Sequence, residues 1–139
     1  SNVPLPHSRK PRKETRSLPP SKKRQLEQNL HTTEGYAAYA AWTMLEETLQ
    51  SHLLRLASLL GWALTYHTLD SRGSGKGFPD LVLIHPEKKR VLWLELKAEG
   101  ERPKPDQIAW AEALVACGQE HHFCTPSQYL DGTLEGILR

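Results

Sequence analysis

A chain of 139 residues, 38% of them hydrophobic, can bury the core of one domain and is too short for two comfortable ones. Its formal net charge is only +2, yet residues 1–28 alone carry +6, leaving −4 for the rest, and a basic arm on a mildly acidic body suits a polyanionic partner such as nucleic acid. No apolar run approaches the roughly 20 residues of a membrane helix, and two cysteines are too few for the disulfide framework of a small secreted scaffold, so a reducing, intracellular setting is expected.

In chain order, residues 1–28 gather Pro4, Pro6, Pro11, Pro19 and Pro20 among Arg9, Lys10, Arg12, Lys13, Arg16, Lys22, Lys23 and Arg24, with few large apolar groups. Such a segment buries too little surface to offset its ordering entropy. It reads as a disordered basic arm with a short helical piece near residues 21–29, followed by one folded domain over 29–139. Arg9, Lys10, Arg12, Lys13, Lys22, Lys23 and Arg24 are candidate phosphate contacts. The spacing of Arg9-Lys10 and Lys22-Lys23-Arg24 equally resembles a bipartite nuclear-import signal, which would apply in a eukaryotic cell; a phage-encoded chain would act in bacterial cytoplasm.

From about Glu34 to Leu60 the apolar residues Trp42, Leu45, Leu49, Leu53, Leu56 and Leu60 recur at helical spacing, and Gly61 closes the helix. Residues 62–68 read as a strand. The next stretch, Arg72-Gly73-Ser74-Gly75-Lys76-Gly77, invites a phosphate-loop reading, but that motif needs glycine at position 70, which is Asp70, and Ser or Thr after Lys76, where Gly77 stands. It is better read as a loop leading to Pro79-Asp80. Strands follow over 80–85 and 90–97, joined by a polar turn at 86–89. A helix runs from about Pro105 to Cys117 with Gly118 as its stop, then a strand over 121–125 and a terminal helix over 127–138. This order predicts an α/β fold, a mixed sheet flanked by helices.

Side chains alternate along a strand, so Glu95 and Lys97 share a face opposite Leu92, Leu94 and Leu96. If Ile84 pairs with Val91 across the turn, the same register sets Asp80 opposite Glu95, with Cβ atoms about 4.5–5.5 Å apart. Two carboxylates that close repel unless a cation lies between them, and Mg²⁺ takes such oxygen ligands while keeping waters for a phosphate to share. Lys97 beside them can hold an attacking water and stabilise charge developing on phosphorus.

The ordered set Gly77-Phe78-Pro79-Asp80, Glu95-Leu96-Lys97 and Gln107 resembles the PD-(D/E)XK nuclease superfamily, and most closely its virus-type replication-repair nuclease (VRR-NUC) branch, over roughly residues 42–130. The resemblance implies a restriction-endonuclease-like core and an Mg²⁺-dependent deoxyribonuclease, with Mn²⁺ substituting. In it Asp80, Glu95 and the backbone carbonyl of Leu96 hold the metal, Lys97 is catalytic, and Gln107 supports the site from the following helix. It also implies an acidic ligand from the first helix, where Glu46 and Glu47 both stand. With Leu49 at the centre of the buried face, Glu46 falls about 60° off centre and Glu47 about 160° off, which selects Glu46. Stand-alone members look like homodimers that cut branched DNA, Holliday junctions included. The alternatives are a flap or restriction-type nuclease, or a non-catalytic DNA-binding module on the same fold.

Arg72, Lys76 and Lys104 flank the expected site as further DNA contacts. A zinc site from Cys117, His121, His122 and Cys124 is disfavoured, because strand alternation sends the two histidines to opposite faces. His67 and His85 lie near the strands and read as structural, and Trp42, Trp62 and Trp110 as core.

Overall fold

The computed structural model describes residues 18–68 and 75–139. Its elements run α1 (Pro20–Gln28), α2 (Thr33–Thr43), α3 (Glu46–Leu59), β1 (Leu64–His67), β2 (Leu81–His85), β3 (Arg90–Leu96), α4 (Pro105–Ala116), β4 (Glu120–Cys124), α5 (Pro126–Leu130) and α6 (Thr133–Leu138). The four strands form one mixed sheet in the order β1-β2-β3-β4, antiparallel except for the parallel pair β3–β4. A parallel neighbour needs a crossover, and α4 supplies it.

Alternation along β2 and β3 gives the sheet two different faces. Leu81, Leu83, Leu92, Leu94 and Leu96 point one way and are buried against Leu49, Leu53 and Ala57 of α3 and Leu134 and Leu138 of α6. Trp62 closes this core, and its indole N–H donates to the Leu138 carbonyl at 2.9 Å, which satisfies the one polar atom the ring brings inside. On the other face Phe78 packs edge-on to Trp93 and Trp110, with ring centroids 6.1 and 5.2 Å apart, beneath α4.

Several expectations are corrected. The single helix expected over 34–60 is two, because Met44 and Leu45 adopt extended backbone angles between α2 and α3. No proline or glycine marks that break. It leaves Glu46 and Glu47 in the first turn of a new helix, where carboxylates complement the helix dipole. The terminal helix over 127–138 is likewise split, at Gly132, whose φ of +86° suits glycine.

The arm expected to be disordered over 1–28 is helical in its last part. Pro20 starts α1 at its first turn, Leu26 is buried against α2, and the Lys22 ammonium lies 4.2 Å from the centre of the Trp42 ring. The helical piece expected near 21–29 is this element; its one large apolar residue is enough to dock it. Arg9, Lys10, Arg12, Lys13 and Arg72 lie outside the described residues. Of the three tryptophans read as core, only Trp62 belongs to the main cluster; Trp42 sits under α1, and Trp110 is 36% exposed. No helix among the described residues is long and apolar enough to cross a membrane.

Candidate active site

The β2–β3 ladder pairs Ile84 with Val91 and Leu81 with Leu94, so the next step outward sets Asp80 opposite Glu95, the register expected from the sequence. Asp80 lies just beyond the last ladder pair and is braced on both sides. Its Oδ2 accepts the Leu96 backbone N–H at 2.8 Å. Its own carbonyl accepts the Thr68 N–H at 2.9 Å, and the Thr68 hydroxyl donates to the Pro79 carbonyl at 2.9 Å. Thr68, which no sequence pattern singles out, thus fixes the Pro79-Asp80 backbone against the end of β1.

Glu95 is 4% exposed and Lys97 5% exposed, both on the face turned away from the leucine core. Glu95 Oε1 accepts from Gln107 Nε2 at 2.8 Å, while Gln107 Oε1 accepts the Lys104 N–H at 2.9 Å. The amide therefore caps the start of α4 with one end and orients Glu95 with the other. Glu95 Oε2 is buried with no hydrogen-bond partner.

That orphan oxygen sits among other carboxyl groups. Burial first, and then the Asp80 charge, pushes the Glu95 carboxyl up to about 8, with Lys97 pulling the other way. The Asp80 carboxylate is thus close enough to disfavour the charged form of Glu95. Glu46 is raised as well, by burial, then by Glu101 and Asp80. Glu46 therefore feels the Asp80 charge, while Glu47 is exposed.

A hard divalent cation suits donors of this kind: neighbouring carboxylate oxygens, and one buried Glu95 oxygen without a partner. Among the described residues no three such side chains converge at ligating distance. The zinc alternative gains nothing. Cys117 is exposed, Cys124 is buried, and His121 and His122 pair with Trp93 and Leu94, which face opposite ways.

The remaining candidates separate by position. Lys104 starts α4, one hydrogen bond from the residue that holds Glu95. Lys76 is exposed, and its carbonyl accepts the Trp110 indole N–H at 2.9 Å. Lys22 reaches the site indirectly, through Trp42, whose ring lies against Gly100 just after Lys97. Lys23 and Arg24 are exposed on α1. His85 is buried far along β2, edge-on to Trp62, and its Nδ1 accepts the Lys88 N–H, which makes it structural. His67 is exposed at the end of β1, paired with Leu81 next to Asp80.

A mixed sheet whose β2–β3 hairpin ends in facing carboxylates, with a buried lysine beside them and a glutamine from the next helix, defines the nuclease class with the PD-(D/E)XK core. Within that class the VRR-NUC domain family matches residues 20–128, and the chain belongs to it. The match begins at the first residue of α1.

The chain is 40% identical over 53 residues to a Fanconi-associated nuclease 1 homolog of Caenorhabditis elegans, a stretch covering 38% of this chain and 6% of that protein. It is 31% identical over 62 residues to the homolog of Schizosaccharomyces pombe, covering 45% of this chain and 9% of that one. The chain thus corresponds to less than a tenth of these relatives. A solved VRR_NUC domain has the same fold, with a TM-score of 0.54 at 24% identity over 65% of this chain and 94% of that one.

Proposed function

We propose that this chain is an Mg²⁺-dependent DNA endonuclease acting on branched DNA, four-way junctions included, with Mn²⁺ able to substitute. The observation that carries the reading is the pairing of Asp80 with Glu95 across β2–β3, with Glu95 Oε2 buried and unused beside Lys97. Asp80, Glu95, Glu46 and the Leu96 carbonyl would hold the cation. When bound, it supplies Lewis-acid polarisation of the scissile phosphate and lowers the pKa of a bound water.

The chain's own residues do the rest. Lys97 offers a fixed ammonium to charge developing on the phosphate oxygens as water adds to phosphorus and the P–O bond of the leaving strand breaks. Gln107 holds Glu95 in one orientation, and the Leu96 N–H holds Asp80. Lys76, Lys104, Arg72 and the basic residues of the arm contact backbone phosphates, which position the duplex without reading sequence. A homodimer with two sites about a two-fold axis suits a four-way junction.

The test is a cleavage panel in Mg²⁺ with four-way junctions, flaps, single strands and linear duplex, alongside light scattering for the oligomeric state. Asp80→Asn, Glu95→Gln and Lys97→Ala should each abolish cleavage and leave DNA binding largely intact. Glu46→Gln should weaken Mg²⁺ activation while Glu47→Gln stays close to wild type. Undiminished turnover by Lys97→Ala would refute the site. Preferred cutting of flaps would make the chain a flap nuclease, and DNA binding without cleavage of any substrate would leave the binding-module reading.

A further inference from the structure

We propose that two copies of this chain join through β1, strand edge to strand edge, about a two-fold axis at Thr65, so that their sheets become one. The inference rests on the homodimer named above and gives it a surface and a register. β1 ends the sheet, and no strand among the described residues pairs beyond it. All four of its residues are exposed, Leu64 by 63% and Tyr66 by 59%.

The phase of the ladder shows which backbone groups point outward. The Thr68 N–H donates to the carbonyl of Asp80, directly opposite it, so the even-numbered residues of β1 turn their N–H and C=O toward β2. Those of Thr65 and His67 therefore face away from the sheet, where a further strand can take them. Exposed sheet edges are normally blunted by charge or proline. Residues 62–68 contain no Lys, Arg, Asp, Glu or Pro. The opposite edge is guarded: Glu120 opens β4 in a two-pronged pair with Arg90, and α4 packs on the strand. A second copy of β1 brings no like charge against the first.

Symmetry then fixes the register. A two-fold axis perpendicular to the sheet keeps each side chain on its own face, so residues opposite one another must share a face. Of the outward-facing residues on which the axis can fall, Thr65 and His67, only Thr65 pairs the exposed Leu64 with Tyr66. Thr65 then exchanges both hydrogen bonds with the partner's Thr65. Leu64 stands opposite the partner's Tyr66 at the non-hydrogen-bonded positions, where side chains come closest. The register through β2 and β3 puts Leu64 and Tyr66 on the face that carries Asp80 and Glu95. Both candidate sites therefore lie on one side of the joined sheet. With strands about 4.8 Å apart and about 3.4 Å per residue, Asp80 and the partner's Asp80 fall roughly 25 Å from each other, close enough to meet one DNA molecule. Four residues a side bury less than the roughly 800 Å² per partner of a stable interface, so the dimer should come apart on dilution.

The experiment is light scattering of the full chain across a dilution series, with circular dichroism to verify folding of each variant. Thr65→Pro removes an outward N–H and no bond to β2, and should leave a folded monomer where the wild type is a dimer. Tyr66→Lys should do the same by setting a charge against the partner's Leu64. Oxidation of Thr65→Cys in a Cys117→Ser background should crosslink the dimer, because hydrogen-bonded pairs hold Cα atoms about 5.5 Å apart, within disulfide reach. Arg55→Cys, exposed on α3, should stay uncrosslinked in that background. A dimer that persists in Thr65→Pro and Tyr66→Lys, or that Thr65→Cys fails to crosslink, would overturn this interface and leave the homodimer standing. A wild type that is monomeric throughout would overturn both, and leave the cleavage chemistry to its own test.

Discussion

Gln107 has to be an amide, because its two ends do opposite jobs: the oxygen accepts from Lys104 N–H and the nitrogen donates to Glu95. A carboxylate there would face Glu95 with a like charge, and an apolar residue would leave a second Glu95 oxygen unpartnered. Gln107→Leu should therefore keep the fold and lower Mg²⁺-dependent cleavage by about 10–100-fold, with weaker Mn²⁺ binding. Single-turnover cleavage and Mn²⁺ titration are the measurements, and wild-type values in both would mean Glu95 needs no support. At this scale much was legible. Strand alternation and one assumed hairpin register set Asp80 against Glu95, and the helical phase chose Glu46 over Glu47. Thr68 was not legible, since no pattern in the sequence marks the residue that fixes the Pro79-Asp80 backbone until β1 and β2 are paired.

Elements are joined near the site by contacts that allow no extra atom. Gly77, in the stretch leading to Asp80, has φ +82°, and a Cβ there would lie 2.4 Å from the Asp106 backbone at the start of α4. This glycine serves packing, not phosphate binding. Gly77→Ala should cost about 1–3 kcal/mol from the backbone angle alone, and more from the collision. Urea unfolding gives the value, and an unchanged midpoint would show that α4 can shift. The strand β4 carries a different sensitivity. His121 lies edge-on to Phe123 with Nε2 buried and unpartnered, and burial, then the neighbouring His122, holds its pKa below the usual histidine value. A lowered folded-state value means its contribution is complete above the unfolded pKa of about 6.5 and is lost as pH falls through the folded one. Between pH 8 and 5, thermal melts of His121→Phe should fall less steeply than those of wild type; equal slopes would assign the acid loss to other groups. The elements themselves could be read from periodicity, apart from the α2–α3 break. There the apolar spacing runs unbroken through Met44 and Leu45, and the chain turns because α2 packs on α1 and α5 while α3 lies under the sheet.

Across the whole molecule the charge asymmetry separates into two roles. Lys22 is engaged with Trp42 and Leu26 is buried, so α1 belongs to the folded body and not to the arm. Deleting residues 1–19 should weaken binding to junction and linear duplex by similar factors. It should also flatten the log–log salt dependence by about 0.9 for each phosphate that the shortened chain leaves unneutralised. Deleting residues 1–28 should additionally lower stability by about 1.5–3 kcal/mol, because the Leu26 side chain no longer covers α2. Binding across a salt series and unfolding curves check the two deletions, and equal stability of both would place α1 outside the cooperative unit. Composition alone hid this division, because one buried leucine among many charges leaves no compositional trace. The Trp110–Lys76 hydrogen bond has a consequence of another sort. An indole whose N–H is bonded to the backbone just before Gly77, and whose ring meets Phe78, emits from the junction between the glycine-rich stretch and the motif carrying Asp80. The difference in fluorescence between wild type and Trp110→Phe thus isolates an optical signal from that junction, and the protein reports on the approach to Asp80 without a label.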